Sequence, residues 1–139
     1  MEKTFGFLKN RAVVNGNPVN FVATVAGDKP SCRPFGDPIM YNNKIYAMTL
    51  KHKAVSKQLI ENDNACVVAY DGDVWLRVNC RLIDDSDNLE VKRAVLAEFD
   101  WAEEAGFTLD NPDFQLLYFA EADATCMDSD GQVIWQEKF

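Results

Sequence analysis

Hydrophobic and polar positions change period several times along the chain, and each change marks an element. Over residues 4–12, Thr4, Phe5, Leu8 and Ala12 share a helical face, which predicts a short amphipathic helix with Thr4 as its N-cap. Residues 19–26, Val-Asn-Phe-Val-Ala-Thr-Val-Ala, predict a strand; Gly27, Asp28, Lys29 and Pro30 then form a turn cluster. The segment 31–41 returns as a second strand broken by Pro34, Gly36 and Pro38. A proline removes a ladder donor, so this strand belongs at an edge or carries a bulge. Asn42 and Asn43 form a hairpin turn into a third strand, 44–49.

A helix is predicted over about 53–62, with Val55 and Leu59 on one face, stopped by Asn62, Asp63 and Asn64. The apolar run 65–70 suits a buried strand, and Asp71-Gly72 is a hairpin signal. The next strand alternates. Val74, Leu76, Val78, Cys80 and Leu82 take one face, and Trp75, Arg77, Asn79 and Arg81 the other. Acids at 84, 85 and 87 open a predicted helix that runs to about Glu104. After a loop at Asn111-Pro112 come strands 114–120 and 122–127, a turn at 129–131, and a last strand ending at Phe139. Antiparallel strands with two or three inserted helices give an α+β, mainly β, architecture: a small β-barrel in one domain over residues 1–139.

Composition narrows the class. The chain has 139 residues, 47% hydrophobic and 26% charged, which suits one globular domain with its own core. No apolar run approaches the ~18 residues of a membrane span. The N-terminal residues lack a basic stretch followed by an apolar one, so a secretory signal is not expected and the cytoplasm is the expected compartment.

The net charge of −8 argues against a nucleic-acid partner. Its distribution says more. Residues 1–70 hold nine Lys/Arg and five Asp/Glu, whereas residues 71–139 hold five and seventeen. An acidic chain with a basic first half is a candidate for one local anion site. Cys32, Cys66, Cys80 and Cys126 form no CxxC pair, and His52 is the single histidine. No metal site is expected on that spacing, and the thiols are expected reduced.

Candidate chemistry gathers at two places. Lys51, His52 and Lys53 stand where a helix begins, although cations are unfavourable at that end by a few tenths to about 1 kcal/mol each. An anion docked on the helix end, most simply a phosphate, explains them. So does a solvated charge run, and the spacing alone does not choose. At Arg33-Pro34-Phe35-Gly36, arginine offers a planar fork for phosphate, proline fixes the backbone and glycine allows close approach. An edge strand with a surface arginine explains the same tetrapeptide. Trp75 and Arg77 share the polar strand face, where Trp75 either packs under a helix or meets a flat ligand or a second subunit. The chain has no GxGxxG, GxxxxGK[ST] or GxSxG motif, and no Ser–His or Cys–His nucleophile is expected.

Taken in order, these parts resemble a known family. A short N-terminal helix leads to Phe21-Val22-Ala23-Thr24-Val25, then Arg33-Pro34-Phe35-Gly36 after a turn. A hairpin ends in Thr49, a basic segment follows, and the next helix carries Lys57-Gln58-Leu59. Then comes Asp71-Gly72-Asp73-Val74-Trp75-Leu76-Arg77-Val78. The set resembles the small, single-domain branch of the pyridoxamine 5′-phosphate oxidase-like FMN-binding split barrels, over nearly the whole chain.

The resemblance implies a split β-barrel of antiparallel strands with a few peripheral helices. It implies a homodimer with two FMN sites at the interface. Arg33, Lys53 and the Thr49 hydroxyl would hold the flavin phosphate, and the backbone around Pro34, Phe35 and Met48 would line the ring. Lys51 and His52 complete the basic set, and Trp75 is included as a flavin or interface contact. The family pattern often has Thr-Asn where this chain has Thr49-Leu50. It often has a hydroxyl residue and two cations where His52-Lys53-Ala54 stand, with Lys51 as a replacement cation. The expected function is a flavin-dependent oxidoreductase acting on a small molecule by hydride transfer through flavin N5, with NADH or NADPH as donor and no named catalytic side chain. The alternative is a flavin or phosphorylated-ligand carrier, or a dimeric interaction module with a degenerate site.

Overall fold

The structure, a computed structural model, describes residues 1–10, 13, 14 and 17–139. Among them the elements run α1 (Glu2–Lys9), β1 (Val13–Val14), β2 (Asn17–Pro18), β3 (Asn20–Ala26), β4 (Lys29–Phe35), β5 (Ile39–Tyr41) and β6 (Lys44–Leu50). Then follow α2 (Ala54–Glu61), β7 (Asn64–Tyr70), β8 (Trp75–Asp84), α3 (Leu89–Glu98), β9 (Phe114–Met127) and β10 (Val133–Lys138). β1 and β2 form a small ladder of their own. The other eight strands make one antiparallel sheet in the order β4-β3-β7-β8-β9-β6-β5, with β10 added to β9 beside β6. The sheet does not close: β4 and β5 end its path, and β10 pairs only with β9 among the described residues.

β9 makes the split. Along one side it pairs with β8. Along the other, residues 114–118 pair with β6 and residues 123–127 pair with β10. The sequence predicted two strands here. The structure has one strand of 14 residues, because Glu121 adopts a left-handed φ of 50° and the ladder to β8 shifts register between Asn79 and Arg81. Such a bulge bends the strand without ending it.

β6 is buried on both faces. Ile45 and Ala47 face a core with Val22, Val55, Leu59, Val67 and Leu76. Tyr46 and Met48 face a second core with Val91, Val95, Phe107 and Phe114. Asn42 and Asn43, with φ of 46° and 58°, form the two-residue turn that starts β6. The proline-broken segment divides into β4 and β5, and β4 is indeed an edge strand.

Two helix predictions are corrected. The predicted helix from 84 to 104 is ten residues long, Leu89–Glu98. Asp84 ends β8, and its carboxylate takes the Ser86 N–H and hydroxyl at 2.9 and 3.0 Å, so a turn precedes the helix. Asn88 caps it by accepting the Val91 N–H. Phe99 is extended and ends it. The first helix starts at Glu2 rather than Thr4, and Thr4 is not its cap; Ala12, at its predicted end, lies outside the described residues. The β10 carboxylate Glu137 takes the cap's place. It accepts the N–H groups of Lys3 and Thr4 and the Thr4 hydroxyl, at 3.2, 2.9 and 2.7 Å. A carboxylate suits the positive end of a helix, and sequence spacing cannot reveal one brought from a distant strand.

Candidate functional site

A cleft of about 240 Å³ opens where the end of β4, the end of β6 and the start of α2 meet the turns after α3. Arg33, Pro34, Phe35, Gly36 and Asp37 form one side. Met48 and Thr49 come from β6, Lys53 and Val55 from the start of α2, and Trp101 and Phe107 from the turns. The alternation of β6 turns Thr49 towards the α2 side of the sheet, and Thr49 is buried directly opposite Gln115.

Arg33 is the best-held cation of the cleft. Its Nη1 donates to Thr24 Oγ1 at 2.6 Å and to the Val22 carbonyl at 3.3 Å. Its Nη2 donates to Ser31 Oγ at 2.6 Å and to Gln58 Oε1 at 2.7 Å. The Thr24 hydroxyl donates to the same Gln58 oxygen at 2.6 Å. Every one of these partners is neutral, and among the described residues no carboxylate lies within ion-pair distance of the guanidinium, Asp37 on the same side of the cleft included. Gln58 lies on α2, so the network also ties that helix to β3 and β4.

Lys53 is the N-cap residue of α2, in extended conformation. No side chain caps this helix end, and its first turn holds no acid. The end therefore keeps both its partial positive charge and the lysine. One helical turn in, the Ser56 hydroxyl is fully buried and has no hydrogen-bond partner among the described residues.

The structure brings six sequence-predicted site residues together in the cleft: Arg33, Pro34, Phe35, Met48, Thr49 and Lys53. Lys51 and His52 do not line it. The Lys51 N–H donates to the Asp113 carbonyl at 2.8 Å. The His52 N–H donates to Asp113 Oδ1 at 2.9 Å, and His52 Nδ1 pairs with Oδ2. The bond from His52 holds the Asp113 carboxyl below the usual carboxylate range. Trp75 lies elsewhere, at the start of β8, half-buried, with the Arg77 guanidinium 5.6 Å from its ring. It stands on the outward sheet face beside Tyr70 and Met127 in the ladder.

The sequence pattern does not single out Trp101 and Phe107 as cleft residues, because the predicted helix runs past Trp101 to about Glu104. Phe99 stacks on Trp101 at 5.0 Å, Trp101 meets Phe107 edge-on at 6.0 Å, and Phe107 meets Phe114 at 5.1 Å. This row of rings braces the apolar end of the cleft, and Trp101 remains 40% exposed. The signal was present as three aromatic residues within nine positions after α3.

No family model matches the chain, and no curated protein matches it. Solved structures do. A NimC/NimA family protein from Clostridium acetobutylicum is 25% identical, with a TM-score of 0.86 over 99% of this chain and 93% of that one. A pyridoxamine 5′-phosphate oxidase-related, FMN binding protein from Nostoc punctiforme is 15% identical, with a TM-score of 0.68 over 99% and 94%. General Stress Protein 26 from Bacillus anthracis is 16% identical, with a TM-score of 0.67 over 96% and 95%. The chain shares the split-barrel fold of these proteins, the fold that the resemblance carried by its motifs implies. Among the described residues, no helix is long and apolar enough to cross a membrane.

Proposed function

We propose that this protein binds FMN and acts as a flavin-dependent oxidoreductase on a small molecule. One observation carries the reading. Arg33 and Lys53 share a cleft with the apolar walls Phe35, Met48, Val55 and Trp101, and among the described residues neither cation is paired with a carboxylate. A ligand with an anionic head and a flat apolar body suits that donor set. The FMN binding protein of Nostoc punctiforme, with the same fold, supports the choice of FMN.

FMN fits the residues present. Lys53, the uncapped start of α2 and the Arg33 guanidinium favour a phosphate. Thr49 adds a hydroxyl, and Pro34, Phe35 and Met48 supply an edge for the ring. Lys51 adds charge from the same turn without lining the cleft, and His52 is held by Asp113. Bound FMN would supply hydride chemistry at its N5, with NADH or NADPH as the donor. The chain's own residues bind and orient, and Trp101 with Phe107 excludes water from the apolar end.

The cleft is smaller than the roughly 300–1,000 Å³ of sites that take a drug-sized ligand whole. A second copy of the chain would complete it. The outward sheet face suits that role: Phe21 is 43% exposed, and Pro34 and Val68 are its ladder partners on either side. In this reading Trp75, on the same face, lies between the subunits of a homodimer.

A carrier reading draws support from the Arg33 fork, whose two Nη atoms are already engaged within the chain. Visible spectroscopy separates the two. An enzyme shows flavin absorbance near ~450 nm that NADH or NADPH bleaches, and a carrier shows absorbance that neither bleaches. A protein that gains no flavin absorbance from excess FMN contradicts both.

A further inference from the structure

Lys92 is the only charged side chain buried among the described residues, at 7% exposure. It follows the first turn of α3, where its N–H donates to the Asn88 carbonyl at 3.2 Å. Its Nζ lies 4.9 Å from the centre of the Phe114 ring, itself fully buried at the start of β9. Among the described residues that ring face is its partner, and Nζ makes no hydrogen bond and no ion pair. A ring face replaces little of the hydration that an ammonium loses on burial. Nζ is nevertheless not sealed off, unlike the Ser56 hydroxyl and the Gln115 side-chain oxygen, so it can be reached from solvent.

The groups around Nζ come from four elements. Lys51 follows β6, and its N–H is bonded to the carbonyl of Asp113, the residue before Phe114. Asp84 ends β8, and Asp87 lies in the turn before α3. Burial and the Lys51 charge push the Lys92 amine down from its usual range, and Asp87 and Asp84 push it back only in part. The positive end of α3 acts in the same sense as Lys51.

A lysine amine becomes a nucleophile when it is desolvated or stands beside another cation. Lys92 meets both conditions. We propose that Lys92 is a reactive amine, set up by its burial and by Lys51, that condenses with short aliphatic aldehydes to a Schiff base. Its small exposure admits a short chain only. The lone pair of the neutral amine forms a bond to the carbonyl carbon while the C–O π pair moves to oxygen. The two amine protons then leave with that oxygen as water, and a C=N bond remains. Lys51, as an ammonium, donates to the departing hydroxyl and recovers its proton from the nitrogen through solvent. No oxidant or reductant is consumed. The site goes beyond flavin binding, since neither Lys92 nor Phe114 lines the Arg33–Lys53 cleft.

Propanal with cyanoborohydride, which reduces an imine to a stable secondary amine, tests this on the full chain at pH 7. Peptide mapping by mass spectrometry reads the labelling rate at each of the nine lysines. Lys92 is expected to label roughly tenfold faster than any of the other eight, and to lose that lead in denaturing urea. Lys51→Gln is expected to slow Lys92 labelling several-fold and to move the midpoint of its rate-against-pH profile upward. Lys57→Gln, a change of the same kind on the exposed side of α2, is expected to do neither. Lys92→Arg keeps the charge and is expected to remove the fast site while the other lysines label as before. Lys92 labelling no faster than the surface lysines of the folded protein means a buried structural cation and overturns the proposal. So does a lead that persists in urea, or one that Lys51→Gln leaves unchanged.

Discussion

Arg33 Nη2 donates to Gln58 Oε1 at 2.7 Å, and this one bond joins an edge strand of the sheet to the helix whose N-cap residue, Lys53, lines the cleft. Both ends matter to the site. Arg33 brings the charge, and Gln58 holds α2 so that Lys53 points its end at the same space. Gln58 also accepts from Thr24, so a single amide oxygen serves two donors.

Gln58→Leu is expected to destabilise the fold by about 1–3 kcal/mol, since it strips an acceptor from a charged donor and from Thr24. Arg33 keeps its charge in that variant, so FMN affinity falls by only a few-fold. Thermal melts and flavin titrations of the same sample check both halves.

Arg33→Ala is expected to weaken FMN binding more than Arg81→Ala. Loss of a charge-assisted contact costs about 1.5–3 kcal/mol, roughly ten- to a hundredfold in affinity. Arg81 pairs with Asp63 and Glu121 away from the cleft, so its loss leaves the flavin term intact. Quenching of flavin fluorescence on titration reads the difference, and equal affinities reject the assignment of Arg33.

The Glu137 clamp gives a pH dependence. Burial pushes its carboxyl up, but bonds from the N-terminal amine, Thr4 and Lys3 hold it at about 2, against an ordinary value of 4.5. A group depressed on folding stabilises fully above its unfolded value, and that stability disappears as pH falls from 4.5 through about 2. Allowing for its position near solvent, Glu137→Gln is expected to cost about 1–2 kcal/mol at pH 7. The gap between variant and wild type should close in acid melts; a constant gap from pH 7 to pH 2.5 contradicts the clamp.

Phe21→Asp places a charge in the middle of the outward sheet face. The expected outcome is a shift from dimer to monomer in sedimentation at micromolar concentration, with the fold retained. Wild type sedimenting only at 15.7 kDa rejects the second-copy reading outright.

The sequence was most informative where a residue's role is local. Asn42-Asn43 demands a hairpin turn, the prolines at 34 and 38 demand an edge, and the alternation from Leu76 to Leu82 sets one face of β8. The Arg33 and Lys53 positions were legible because a cation at a helix start and an arginine beside a proline each break a local preference. What stayed hidden was non-local. Glu137 caps a helix more than a hundred residues away. Glu121 bends β9 through a backbone conformation that its side chain does not announce. Trp101 and Phe107 reach the cleft only because α3 stops at Phe99, and the acids that marked that helix's start also lengthened its predicted span.

The most direct test is FMN binding to wild type and Lys53→Glu, read as four melting temperatures with and without excess FMN, with riboflavin as the phosphate-free control. Removing a cation from a helix start is expected to leave the ligand-free variant as stable as wild type, or more stable by a few tenths to about 1 kcal/mol. FMN should raise the melting temperature of wild type and not of the variant, because the new carboxylate stands against the phosphate. Riboflavin should affect both proteins alike. If FMN stabilises Lys53→Glu as much as wild type, the start of α2 is not a phosphate site, and Lys51, His52 and Lys53 are a solvated face.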